Sequence, residues 1–179
     1  EYTGTETDVV VPDTMDEGVP VKRLGTQLLA GSETLTSVVV PDSVTILDSG
    51  ALSYDDNLAE ITLSSNLINI GWSAISSNDA LTELTIPASV CIIDSYAVSG
   101  CYALKKIVFE GACPLIGPEA FAMLSDEVVI YVPDDQIEEY KKAFEDNNKD
   151  ANKLREECKD KVESRLYFIQ LKTIWIQRI

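Results

Sequence analysis

The residues able to do chemistry are few, and the ones missing exclude most reaction classes. The chain has 179 residues and no histidine, so the commonest general base and every His-dependent triad are absent. No GxSxG, phosphate-binding loop or strand-led GxGxxG occurs. Asp48 and Asp94 share one position of a repeat, two copies apart. At about 4.8 Å per coil they would lie roughly 10 Å apart, near the upper end of the separation inverting glycosidases use. Aspartate is also a common turn residue, and that is the preferred reading. Asp146, Asn148, Asp150 and Glu157 match positions 1, 3, 5 and 12 of a calcium loop. Ala151 stands where the loop needs glycine and Lys153 where it needs an apolar residue, so a solvated turn is expected. Of the four cysteines (Cys91, Cys101, Cys113 and Cys158) none forms a CxxC pair. Without histidine, no zinc site is expected. The expectation is a protein without metal or cofactor, and not an enzyme.

Charge narrows the partners. Residues 1–133 hold 4 Lys/Arg against 19 Asp/Glu, while residues 134–179 hold 10 against 11. An acidic surface repels phosphate backbones, so nucleic acid is excluded as an expected partner. Solubility is the plain reading of the charge, and attraction to a basic partner the sharper one. No apolar run reaches the ~20 residues of a membrane helix, so a membrane-spanning chain is not expected. The first residues, Glu1-Tyr2-Thr3-Gly4, lack the basic start and apolar region of a signal peptide.

The elements that must position any functional group repeat every 23 residues. Ile93 shares a column with Leu24, Leu47, Ile70 and Ile116; Ala97 with Leu28, Ala51, Ala74 and Ala120; Val98 with Leu29, Leu52, Ile75 and Phe121. Ile107 aligns with Val38, Ile61, Leu84 and Ile130, and Phe109 with Val40, Leu63, Ile86 and Val132. A fixed period of this size signals a solenoid. Alternation predicts main strands at Ser37–Val40, Glu60–Leu63, Glu83–Ile86, Lys106–Phe109 and Val129–Val132. Proline follows three of them, at Pro41, Pro87 and Pro133, and ends a strand by lacking the ladder donor. Shorter extended pieces follow at Val44–Leu47, Leu67–Ile70 and Val90–Ile93. The Ala-Leu or Ala-Phe pair of each copy suits a tight helical turn. Val9-Val10-Val11-Pro12 repeats Val38-Val39-Val40-Pro41 at a spacing of 29, which predicts a first strand with an elongated turn.

Leu58-Ala59-Glu60-Ile61-Thr62-Leu63, Leu81-Thr82-Glu83-Leu84-Thr85-Ile86-Pro87 and Ile116-Gly117-Pro118-Glu119-Ala120-Phe121 resemble the BspA-like leucine-rich repeats. Cys101 stands at that family's cysteine position, where other copies have Ser32, Asp55, Asn78 and Leu124. The resemblance covers about residues 1–144. It departs at Leu52, Ile75 and Val98, where the family pattern has phenylalanine. It implies a leucine-rich-repeat solenoid, mainly β or α/β, with short parallel strands. It also implies a secreted or surface-anchored protein, mostly bacterial, that binds host or matrix proteins, and a chain that is one segment of a longer one.

The expected organisation is a solenoid over 1–133, with 1–18 as N-terminal cap and five repeats over about 19–133. A helical C-terminal cap follows over 134–165, where Ile137, Tyr140 and Phe144 share one helical face. Residues 166–179 form an apolar tail, read as an edge strand, a dimer contact or added sequence. Two surfaces are candidates for binding a protein. The outward residues of the main strands form one, with Glu60, Glu83 and Lys106 in one row and Thr62, Thr85 and Tyr131 in the next. The other is Trp72 with Tyr96, aromatic where sister copies carry small or polar residues apart from Pro118. The leading function is protein binding at the cell surface or outside the cell, for adhesion or recognition. The alternatives are a structural spacer, or a scaffold that forms homo-oligomers through residues 134–179, and, as a distant third, a carboxylate-dependent glycan-active enzyme.

Overall fold

The computed structural model describes residues 4–146 and 175–178. Along the main side of the solenoid run β1 (Asp8–Val10), β3 (Ser37–Val39), β5 (Glu60–Thr62), β7 (Glu83–Ile86), β9 (Lys106–Phe109) and β11 (Val129–Val132). A second side carries the two-residue strands β2 (Arg23–Leu24), β4 (Ile46–Leu47), β6 (Asn69–Ile70), β8 (Ile92–Ile93) and β10 (Leu115–Ile116). All ladders between these strands are parallel, and successive coils pair at equivalent positions: Val9 with Val38, Leu47 with Ile70, Leu84 with Ile107. This is a parallel-strand β-solenoid of about five turns with a short C-terminal helix.

The inward columns form one continuous core. Leu35, Leu58, Leu81 and Leu104 are fully buried, as are Leu47, Ile70 and Ile93. Each such side chain contributes about 1.5–3 kcal/mol relative to exposure, which no single coil can secure alone. Leu28 is the exception to its column at 41% exposed, because the first regular coil has no coil beneath it there.

The corners are not helical turns. Ala51, Ala74, Ala97 and Ala120 each donate N–H to the carbonyl three residues back, at 3.1–3.3 Å. The residue just before each alanine, however, lies at positive φ: Gly50 at 63°, Ser73 at 50°, Tyr96 at 59° and Glu119 at 55°. A positive φ at the third residue alone is that of a type II β-turn and stops a right-handed helix from continuing. The corners are joined along the stack by a further set of backbone bonds, such as Leu52 N–H to Ala74 O at 2.8 Å and Val98 N–H to Ala120 O at 2.7 Å.

Close stacking makes glycine obligatory at Gly71, Gly111 and Gly117. A Cβ on Gly71 would sit 2.6 Å from the carbonyl oxygen of Leu47 and 3.1 Å from the backbone of Asp48, neither of which can swing aside. Gly25, in the same column, meets nothing within 4 Å. Gly71→Ala is therefore expected to cost about 1–3 kcal/mol, and Gly25→Ala close to nothing. Thermal unfolding of the two variants measures the contrast; equal melting temperatures would contradict it.

Two further elements lie at the C-terminal end. Helix α1 (Ile137–Asp146) follows a 3-10 turn at Asp134–Gln136. Tyr140 and Phe144 are buried and Ile137 packs at the margin of the core. Strand β12 (Trp175–Arg178) runs parallel to β11, pairing Ile176 with Ile130. The segment from Asn147 through Glu157, which holds most of the calcium-loop pattern, lies outside the described residues.

Candidate functional site

Trp72 and Tyr96 come together. Trp72 is the second residue of its corner and Tyr96 the third of the next, so stacking sets them in neighbouring columns. Their rings meet edge to face, with centroids 6.2 Å apart and an interplanar angle of 68°. Trp72 is 53% exposed. The Tyr96 hydroxyl bonds to the Glu119 carboxylate one coil further on, and this bond, with the charge beside it, raises the phenol above its ordinary pKa. An aromatic strip ending in a carboxylate thus crosses three coils. Edge-to-face pairs contribute about 0.5–1.5 kcal/mol beyond burial, which holds Trp72 in place while leaving most of it open.

The outward row on the main strands differs from a uniform ladder. Ser37 pairs with Glu60, Glu83 with Lys106, and Lys106 with Val129. Glu83 is also bound by the Lys106 ammonium at 2.9 Å. Between β5 and β7, however, no ladder forms among the described residues: the main side is divided into β1–β3–β5 and β7–β9–β11–β12. The second sheet runs unbroken past the same point through β4, β6 and β8. The division falls between the strands that carry Glu60 and Glu83 at equivalent positions of the repeat, and like charges on adjacent strands repel. Glu60 has no ion-pair partner among the described residues. Thr62 and Thr85 are exposed on either side of the seam, and Ile61 is half-buried where Val38, Leu84, Ile107 and Ile130 are buried. Tyr131 lies in the Thr85 row, two strands further along. The aromatic strip sits at the corner after the second sheet, so the two candidate surfaces occupy different sides of the coil.

The carboxylate pair is engaged elsewhere. Asp48 receives the Arg23 guanidinium through both Nε and Nη2, while Asp94 accepts the Ser95 N–H at 2.8 Å. Burial moves Asp94 upward from the ordinary carboxylate value. No group of three or more metal-ligating side chains is assembled among the described residues. Cys91, Cys101 and Cys113 are free thiols. Burial pushes the Cys101 thiol up to about 11 and also raises Cys113, which suppresses the reactive thiolate.

The sequence analysis assigns no role to the column Ser32, Asp55, Asn78 and Cys101 beyond the family's cysteine position. In the fold it is a buried polar spine. Asn78 Oδ1 accepts the Asp55 N–H at 3.1 Å, and its Nδ2 donates to Leu52 O and Ile75 O, both at 2.8 Å. Asp55 Oδ1 accepts the Ser32 N–H, and Cys101 Sγ reaches Ile75 O at 3.3 Å. The signal was present, since polar residues recur every 23 positions between apolar columns.

Short parallel strands stacked by a 23-residue period, with corners that turn at positive φ, define a leucine-rich-repeat protein. Residues 22–150 match the family described as the BspA type leucine rich repeat region, in six copies. The chain belongs to that family. It is similar to a leucine-rich repeat protein of Bacteroides capillosus at 35% identity and a TM-score of 0.53, over 60% of this chain and 80% of that one. A leucine rich cell surface protein of Faecalibacterium prausnitzii matches at 23% identity and a TM-score of 0.55, over 67% of this chain and 32% of that one. The pneumococcal vaccine antigen PcpA matches at 18% and 0.59, over 78% and 39%. The last two likenesses concern the fold, and the chain spans under two fifths of either protein. No curated protein matches. No helix among the described residues is long and apolar enough to cross a membrane.

Proposed function

We propose that this chain is a non-catalytic protein-binding module of a secreted or cell-surface protein, used in adhesion or in recognition of host or matrix proteins. The observation that carries this reading is the Trp72–Tyr96 pair. Two large rings stand together at corners that sister coils fill mainly with small or polar residues, and Trp72 is half open to solvent. Fixed, exposed aromatics of this kind are the usual anchors of protein interfaces. The partner's contacting surface is basic. The solenoid carries 19 acidic residues against 4 basic ones over residues 1–133, with Glu60 uncompensated at the seam and Glu119 at the end of the strip.

Binding of the wild-type chain to a panel of matrix and host-surface proteins, against Trp72→Ala and Glu60→Lys/Glu83→Lys, tests the proposal. Trp72→Ala is expected to weaken the binding found by about 10–100-fold, as loss of a central aromatic anchor does. The charge reversal is expected to slow association and flatten its salt dependence. Binding unchanged in both variants refutes the surface assignment. Binding to no member of the panel favours a structural spacer.

A further inference from the structure

We propose that Asp55 is the proton-binding site of the solenoid: in the stable fold its buried carboxyl is protonated and donates a hydrogen bond into the polar spine, and above mildly acidic pH loss of that proton weakens the stack. The case rests on a comparison that the repeat itself supplies. Asn78 occupies the same position one coil later. Its Oδ1 accepts from the N–H of residue 55, twenty-three residues earlier, and its Nδ2 donates to the carbonyls three and twenty-six residues earlier. Asp55 reproduces the first half: Oδ1 accepts the Ser32 N–H at 2.6 Å. The second half is missing. Oδ2 is buried and has no hydrogen-bond partner. By the 23-residue shift, the acceptors at its place are Leu29 O and Leu52 O, the second already receiving Asn78 Nδ2.

An ionised carboxylate has no hydrogen to offer a carbonyl, so Oδ2 sets lone pair against lone pair. A proton taken from solvent turns Oδ2 into the O–H donor that Nδ2 supplies in Asn78. The charges around it push the same way. Asp56 adjoins it and raises its pKa. Glu33 and Asp79, at the position of Asp56 in the coils on either side, are also acidic. The opposing groups are the N–H donors of Ser32 and Gly31, which favour the ionised form, but burial outweighs them and the carboxyl is pushed up to about 6 from an ordinary 3.8.

The sign follows. Between about 3.8 and about 6 the folded chain holds a proton that the unfolded chain has released. Stability due to this group is full below that window, falls as pH rises through it, and is level above it. Asp55→Asn replaces the proton with a permanent N–H donor. In urea unfolding, the variant's folding equilibrium constant is expected to exceed wild type by about 10–100-fold at pH 7.5, the gap closing toward pH 4. Comparing the two proteins cancels Asp94 and the other carboxylates that do not interact with Asp55 to first order. A gap that is absent at pH 7.5, or constant with pH, overturns the proposal. A direct reading does not depend on the variant: carboxyl carbon NMR of the wild-type protein is expected to show Asp55 titrating near 6, and titration near 4 overturns the proposal equally.

Discussion

Tyr140→Ala is expected to lower the unfolding free energy by about 3–5 kcal/mol, the range for removing a large aromatic from a core. Three contacts end together. The ring is fully buried and packs against Phe109 in a tilted arrangement with centroids 4.8 Å apart, and its hydroxyl donates to Gly111 O at 3.2 Å and Ala112 O at 3.3 Å. A solenoid needs its last apolar coil covered, and Tyr140 and Phe144 of α1 cover Phe109 and Phe121. A ten-residue helix is marginal without tertiary contact, so losing Tyr140 undocks α1 as well as leaving a cavity. Urea unfolding and limited proteolysis at Lys141 and Lys142 measure the two effects. Tyr140→Phe should cost only about 1 kcal/mol, since the hydroxyl alone is lost. A loss below about 1 kcal/mol for the alanine variant, with α1 still protected, would contradict the role assigned to this helix.

Asn78→Asp is expected to cost a further protein about 3–5 kcal/mol at pH 7, the scale of a buried charge left without compensation. The substitution changes one atom in size and shape very little. It removes both N–H bonds to Leu52 O and Ile75 O and sets a second carboxylate one coil from Asp55. The loss should shrink as pH falls toward 4.5, where protonation returns one donor. Adding Asp55→Asn should recover part of it at pH 7, because one carboxylate of the pair is then gone. Unfolding midpoints of the single and double variants across pH 4.5–7.5 provide the check. A cost that does not vary with pH would assign the effect to packing instead of charge.

The fold was legible because its signal is local and repeated. Ile93, Ala97, Val98, Ile107 and Phe109 each recur in register, and every one of them is buried. The corners were misread as helical because the feature that forbids helix is a backbone angle. Tyr96, Ser73 and Glu119 take a positive φ that their side chains do not advertise as glycine would. The adjacency of Trp72 and Tyr96 followed from counting columns, whereas their edge-to-face geometry and the link to Glu119 did not.

The sequence by itself determined the period, the inward columns, the family and the net acidity, since these depend only on residue type and spacing along one chain. The tertiary structure decided three things: that Asp48 and Asp94 are engaged by Arg23 and Ser95, that the main sheet divides between β5 and β7, and that Asp55 Oδ2 is buried without a partner. Each depends on how the folded chain sets its polar atoms, a few tenths of an ångström deciding whether a bond forms. A repeat pattern states which residues are neighbours; only the packed stack states which of their polar atoms are left without a partner, and the chemistry of the Cys101 column resides there.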